Sequence, residues 1–333
     1  MGNEKKTVGE IVVDRIMTRA VEEQRLPWLR PWSSTVAINW KSCKEYTGIN
    51  RFLIPEGEYL TFKQALGFKF NIPKNTPSEI IVRKIDKDYP VSQEGMEKIL
   101  DYVKSLIGNQ SRNDLIKYAI DHRLLKRKPD GQLLRTYGAV RYYTVFNVKY
   151  MIDKDGNPVK TRLESGDIEF SPLGLPQDVA GNYCEMEDIT VQHGSTDPYY
   201  NDKLDIINMP DENKFNSVES YYSTLFHELI HSTCKKGRVT RNVTPNDRSY
   251  GAFSFEELVA NFGASMLCAE TGIYAYQPSV VDNSVAYIQE WKRALEENPD
   301  MLIKAASTSE RAKAYILKYT IDEAQSELNS GDE

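Results

Sequence analysis

The sequence is poor in residues on which several classes of protein depend. It has four cysteines in 333 residues, and Cys43, Cys184, Cys234 and Cys268 stand far apart. They build neither a CxxC pair nor a dense disulfide framework, and they read as reduced thiols of a cytoplasmic protein. No apolar run approaches the roughly 18–20 residues that cross a bilayer, which argues against a membrane partner. The first residues, MGNEKKTVGEIVVDRI, have no long apolar core before a small-residue cleavage site, so no secretory signal is expected. Histidine is equally scarce, with four in the chain. What is present is ordinary for a globular chain. Hydrophobic residues make up 40% and charged residues 27%, which excludes global disorder and low-complexity architecture.

Charge is unevenly placed. Residues 1–150 hold 26 Lys and Arg against 17 Asp and Glu, a net +9, and the remainder holds 16 against 31, a net −15. A basic half joined to an acidic half suggests that the first half meets a polyanion. Length alone suggests two domains. Hydrophobic periodicity predicts a helix from Val8 to about Leu26, then short strands and helices to residue 70. It also predicts a strand over 78–88, two helices within 92–128, and one or two strands over 137–150. Asp153 to Pro158 is turn chemistry, and a loop-rich stretch is expected to about 185. Beyond it a strand is expected at 203–209, followed by helices at 217–236, 254–271, 283–297 and 300–319. This is an α+β chain with no internal repeat. The predicted division is 1–150, with 85–135 as a helical insertion, a linker and loop region at 151–185, a domain at 186–325, and a frayed acidic tail at 326–333.

One motif is sharp. His227-Glu228-Leu229-Ile230-His231 is an HExxH sequence. Positions i and i+4 of a helix put two imidazoles on one side, and the Glu between them can take a proton from a metal-bound water. The motif uses two of the four histidines. Asn216 with Glu219 is read as the helix cap and capping-box partner. Val218, Tyr221, Tyr222, Leu225 and Leu229 form an apolar stripe, with His227 and His231 on roughly the opposite face. A catalytic zinc usually takes a third protein ligand. Glu257, 26 positions after His231, suits that role, while Ser254 and Glu257 also fit a capping box that would make Glu256 the alternative. Ala260 and Ala264 would let this second helix approach closely, and Asn261 could orient a histidine. Asp205 to Pro210 reads either as an edge strand able to hold an extended peptide or as a buried strand. His193 could polarise a carbonyl or sit in a surface loop.

The basic half is also rich in aromatics. Trp28, Trp32, Trp40, Tyr46, Tyr142, Tyr143 and Phe146 lie among Arg25, Arg30, Lys41, Lys44, Arg51 and Arg141. Each ring could simply belong to a core, but as a set they favour single-stranded nucleic acid, which is held by stacking and backbone cations.

The chain resembles the ArdC-type antirestriction proteins of conjugative elements. The N-terminal resemblance rests on Leu26-Pro27-Trp28-Leu29-Arg30-Pro31-Trp32, Tyr46-Thr47-Gly48-Ile49-Asn50, Tyr59 to Gln64, and Tyr143-Thr144-Val145-Phe146-Asn147-Val148. The C-terminal one rests on Asp205 to Pro210, Tyr221-Tyr222, His227 to Thr233, Phe255 to Ala260, and Tyr287-Ile288 with Trp291. Roughly 85–135 falls outside it. The resemblance implies an N-terminal α+β domain that binds single-stranded DNA and a mainly helical, zincin-like metallopeptidase domain with a small sheet. It implies His227, His231 and Glu257 as ligands of zinc, or of manganese, and Glu228 as general base. The family usually has Glu where Asn261 stands. Arg25, Trp28, Arg30, Trp32, Tyr46, Asn50, Arg51, Arg141, Tyr143 and Asn147 are the residues expected to meet DNA. DNA-bound proteins are the expected peptidase substrates, and protection of incoming DNA from restriction is the implied purpose. Two other readings stand beside this one: a DNA-coating protein with a structural metal site, and a plain zinc peptidase whose first domain binds protein.

Overall fold

The computed structural model describes residues 6–23, 25–29, 37–162, 175–241, 255–273 and 285–330. In chain order, α1 is Val8–Glu22, β1 Ala37–Asn39, β2 Lys44–Glu45, α2 Asn50–Leu53, β3 Gly57–Thr61 and α3 Phe62–Gly67. Next come β4 Ser78–Pro90, α4 Gln93–Ile107, α5 Arg112–Asp121, β5 Lys126–Arg127 and β6 Leu133–Asn147. The remainder is α6 Pro176–Glu187, β7 Thr190–His193, β8 Tyr199–Asn201, β9 Ile206–Met209, α7 Val218–Ser232, α8 Phe255–Glu270, α9 Val285–Glu297 and α10 Met301–Ser330. The architecture is mixed α+β, with a larger sheet in the N-terminal part and a helical C-terminal part that carries a small sheet.

Local chemistry explains most of the boundaries. Thr7 Oγ1 accepts from the Glu10 amide while the Thr7 amide donates to Glu10 Oε2, a capping box that starts α1. Ser92, Ser111 and Ser217 cap α4, α5 and α7 through their side chains. The α7 cap is therefore Ser217, one residue beyond the Asn216 expected from sequence. α6 occupies part of the stretch read as loop. Its signals are Pro176 at the first helical turn, the spacing of buried Val179, Ala180 and Tyr183, and a left-handed stop at Asp188 with φ 55°. The C-terminal segment expected to fray continues as helix to Ser330.

The chain packs as two units, one of residues 1–81 and 144–333 and one of residues 82–143. In the first, β1 pairs parallel with β3 and antiparallel with β2, and β3 pairs antiparallel with the end of β6, Leu60 facing Phe146. Trp28 joins this N-terminal part to the helices, its ring edge-on to Phe262 at 5.2 Å and to Trp291 at 5.6 Å, while Phe52 stacks on Phe262 at 4.5 Å. α8 packs against both α7 and α10. In the second unit, α4 and α5 share a core of Ile99, Leu100, Val103, Leu115, Ala119 and Leu125.

The small sheet runs β7-β9-β8, so β9 is its middle strand. This corrects the edge-strand option for Asp205 to Pro210, because both sides of β9 are already hydrogen-bonded. Asp205 instead anchors a buried charge cluster. Arg238 donates to both its carboxylate oxygens, at 2.9 and 2.6 Å, and Lys235 and Tyr200 add bonds of 2.6 and 2.7 Å. Arg238 also reaches Glu187 at 2.7 Å, and Glu187 accepts from Tyr315 and Tyr319. The cluster ties α6, the start of β9, the end of α7 and α10 to one another. Burial works against the charge on Asp205, yet these donors hold its carboxyl below the usual range.

Candidate metal centre

α7 carries His227 and His231 one turn apart, and α8 brings Glu257 to them. His227 Nε2 and His231 Nε2 are 3.1 Å apart. The Glu257 oxygens lie 3.4 Å from His227 Nε2 and 3.5 Å from His231 Nε2. Zinc donors at about 2.0–2.1 Å from a tetrahedral centre stand about 3.3–3.4 Å from one another. His227 Nε2, His231 Nε2 and a Glu257 oxygen all lie within 4.8 Å of one another, a spacing that could hold a metal ion, and nitrogen with carboxylate oxygen is a donor set that zinc accepts. Among the described residues this is the one such group of three. Ser254, the capping alternative, lies outside the described residues. Glu228 is buried on the same helix at 5% exposure.

The two helices meet closely because α8 carries Gly263 opposite α7. A Cβ at Gly263 would lie 2.5 Å from Ile230 Cδ1 and 2.7 Å from its Cγ1. Ala260 and Ala264, the small residues expected at this close approach, are fully buried. Packing on α8 also means that the histidine face of α7 is not a solvent face. Leu225, Phe226, Leu229 and Ile230 are all buried, whereas Val218, placed in the apolar stripe by periodicity, is 69% exposed.

Glu256, the alternative to Glu257 on sequence, meets His231 from the other side of the ring. Its Oε1 lies 3.2 Å from His231 Nδ1 and 2.9 Å from Arg241 Nη2. It is a carboxylate that holds the His231 ring at Nδ1, opposite the Nε2 that faces His227 and Glu257, and it is backed by a buried arginine. Burial opposes a charge on His231, but Glu256 and Glu257 together raise its pKa well above the ordinary histidine value. The two histidines and Glu228 were legible because HExxH is a local pattern. Glu256 and Arg241 were not, since their contacts join residues 10 or more positions from the motif. Asn261 is buried on α8 at 8% exposure. His193, at the end of β7, lies 2.9 Å from the Tyr221 hydroxyl and stacks on that ring.

The residues expected to meet DNA divide by exposure. Arg141 and Tyr143 are exposed on β6. Arg25, Tyr46 and Asn50 are half-buried, and Tyr46 accepts from Asn39 Nδ2. Three side chains face inward. Trp28 is 1% exposed in the aromatic core. Arg51 pairs with Glu45 at 3.0 Å, Glu270 at 3.2 Å and Glu310 at 3.5 Å. Asn147 is 8% exposed, and its Oδ1 accepts from the Lys149 amide. In each case packing or an ion pair claims a side chain whose type alone suits DNA equally well. Arg30 and Trp32 lie outside the described residues.

Two known families match parts of the chain. Residues 178–308 match the zincin-like metallopeptidase family, and residues 6–146 match the N-terminal domain of anti-restriction factor ArdC. A DNA primase TraC of Escherichia coli is 28% identical across 96% of this chain, and the chain spans 28% of the length of that primase. The metal-free crystal structure of the antirestriction ArdC protein from plasmid R388 shares the fold with a TM-score of 0.62 at 22% identity, over 95% of this chain and 99% of that one. The Mn(II)-bound structure gives 0.60 at 23% identity, over 95% and 98%. Among the described residues no helix is long and apolar enough to cross a membrane. With an ArdC N-terminal domain ahead of a zincin-like metallopeptidase domain, the chain belongs to the ArdC-type antirestriction family.

Proposed function

We propose that this protein binds single-stranded DNA through its N-terminal part and carries a metal-dependent peptidase site that acts on proteins at that DNA, in the service of protecting incoming DNA from restriction. The observation that carries the peptidase reading is the convergence of His227, His231 and Glu257 at 3.1–3.5 Å beside Glu228. Zinc is the ion we favour for this donor set, with manganese the second choice in view of the Mn(II)-bound relative. A divalent ion held there would lower the pKa of a bound water and polarise a peptide carbonyl. Glu228 then takes the proton of the attacking water and passes it to the leaving amine. Glu256 keeps the His231 ring oriented, and the small sheet beside α7 offers β7 and β8 as edges for an extended peptide. The N-terminal net charge of +9 and the family of that domain support the DNA reading.

Glu228→Gln tests the proposal, because it keeps shape and removes the base. The variant is expected to retain metal and single-stranded DNA binding while losing cleavage of a DNA-bound protein. If it protected DNA in vivo as well as the unaltered chain, a DNA-coating role with a structural metal would replace this reading.

A further inference from the structure

Residues 82–143 carry 13 Lys and Arg against 8 Asp and Glu, a net +5 in 62 residues. Within this unit β4 and β6 form a ribbon whose two faces differ in charge. Side chains alternate along a strand, so Arg83, Lys87 and Tyr89 share one face of β4, while Lys84, Asp86 and Asp88 share the other. The Thr136 hydroxyl donates to Asp88 at 2.6 Å. That bond places the even-numbered face of β6 with the acidic face of β4. Arg135, Arg141 and Tyr143 therefore join Arg83, Lys87 and Tyr89. The result is four cations and two tyrosines on one face with no carboxylate, while Asp88 on the opposite face is already neutralised by Lys126 at 3.1 Å.

Register brings two of the cations together. The Val91 amide donates to the Leu133 carbonyl, and both this pair and Asp88 with Thr136 fit one antiparallel register, which sets Arg83 opposite Arg141. Like charges directly across a ribbon destabilise it and are better explained by an anion that they meet. Among the described residues Arg83, Lys87 and Arg141 have no ion-pair partner, while Tyr89 and Tyr143 are 46% and 37% exposed. At the Arg135 end lies a cleft of about 430 Å³, lined by Lys98, Ile99, Tyr102, Leu124 and Arg135. An apolar floor with one exposed tyrosine and flanking cations suits a nucleobase and its phosphate.

We propose that the basic face of the β4–β6 ribbon and this cleft form the contact surface for single-stranded nucleic acid. The phosphates run along Arg83, Arg141 and Lys87, and bases stack on Tyr143 and Tyr102. The proposal rests on the DNA-binding reading above and adds the surface. A duplex is disfavoured because stacking on tyrosines needs bases out of a helix.

The test is fluorescence anisotropy of the full-length protein with a labelled oligothymidine, at low and moderate salt. Arg83→Glu with Arg141→Glu is expected to weaken binding at least about tenfold and to flatten its salt dependence, since each lost phosphate contact removes about 0.7 from the slope. Tyr102→Ala is expected to weaken it about 5- to 150-fold with the slope unchanged. Lys84→Glu, on the opposite face, is expected to bind as the unaltered protein does, and thermal melts of all variants report folding. Unchanged binding by the double and tyrosine variants, with the unaltered protein still binding, would overturn the surface and leave the DNA reading standing. An equal loss in Lys84→Glu, or preference for duplex, would also overturn it. No binding by the unaltered protein would remove both.

Discussion

Two adjacent glutamates at the start of α8 have different work. Glu257 faces both imidazole Nε2 atoms, whereas Glu256 faces His231 Nδ1 and Arg241. Glu256→Gln keeps the shape but removes the carboxylate behind the ring, and metal affinity is expected to fall about 10- to 100-fold. Competition with a chromogenic chelator measures it, and Glu257→Gln should lose more because its carboxylate faces both Nε2 atoms. Protons compete for the same site. Metal binds the neutral imidazole, and the carboxylates around His231 raise its pKa well above the ordinary value despite burial. Apparent metal affinity should therefore rise with pH until that raised pKa is passed, and fall about tenfold per unit below it. Calorimetric titrations between pH 6 and 9 would show this, and a flat profile would contradict it.

At the scale of elements, the candidate site exists because two helices lie close enough for α8 to bring Glu257 to the histidines of α7. Gly263 sets that distance, since three carbon atoms of Ile230 fill the place a Cβ would take. A β-branched residue in a helix has little rotamer freedom with which to move aside. Gly263→Ala is expected to cost about 1–3 kcal/mol, read as a lower melting temperature. Metal affinity should weaken with it, because α8 also carries Glu257. Adding Ile230→Ala should recover part of the metal affinity. Recovery is a readout that a mere loss of stability would not produce.

At the scale of the molecule, residues 1–81 and the helices of the candidate metal site belong to one packing unit. Trp28, Phe52, Phe262 and Trp291 form one aromatic core across a sequence distance of more than 200 residues, and Arg51 adds ion pairs to Glu270 and Glu310. Trp28→Ala is expected to cost about 3–5 kcal/mol and to lower the melting of α7, α8 and α10 together with that of residues 1–81. Circular dichroism and tryptophan fluorescence should then report one shared transition for this unit. Separate transitions for residues before 81 and after 175 would contradict the shared core.

The sequence by itself determined what local pattern controls. The HExxH pair, the helices α4, α5, α7 and α8, and the strands β4 and β6 follow from spacing within a turn or along a strand. The signals of α6, a proline start and apolar spacing, are equally local but lie among loop-forming neighbours. Tertiary structure decided the questions that composition leaves degenerate. A tryptophan, an arginine and an asparagine in a basic segment suit DNA or a core equally, and only packing turned Trp28, Arg51 and Asn147 inward. Only sheet order made β9 a middle strand, and only helix contact separated the role of Glu256 from that of Glu257. Burial and pairing are properties of distant partners, and no window of neighbouring residues contains them.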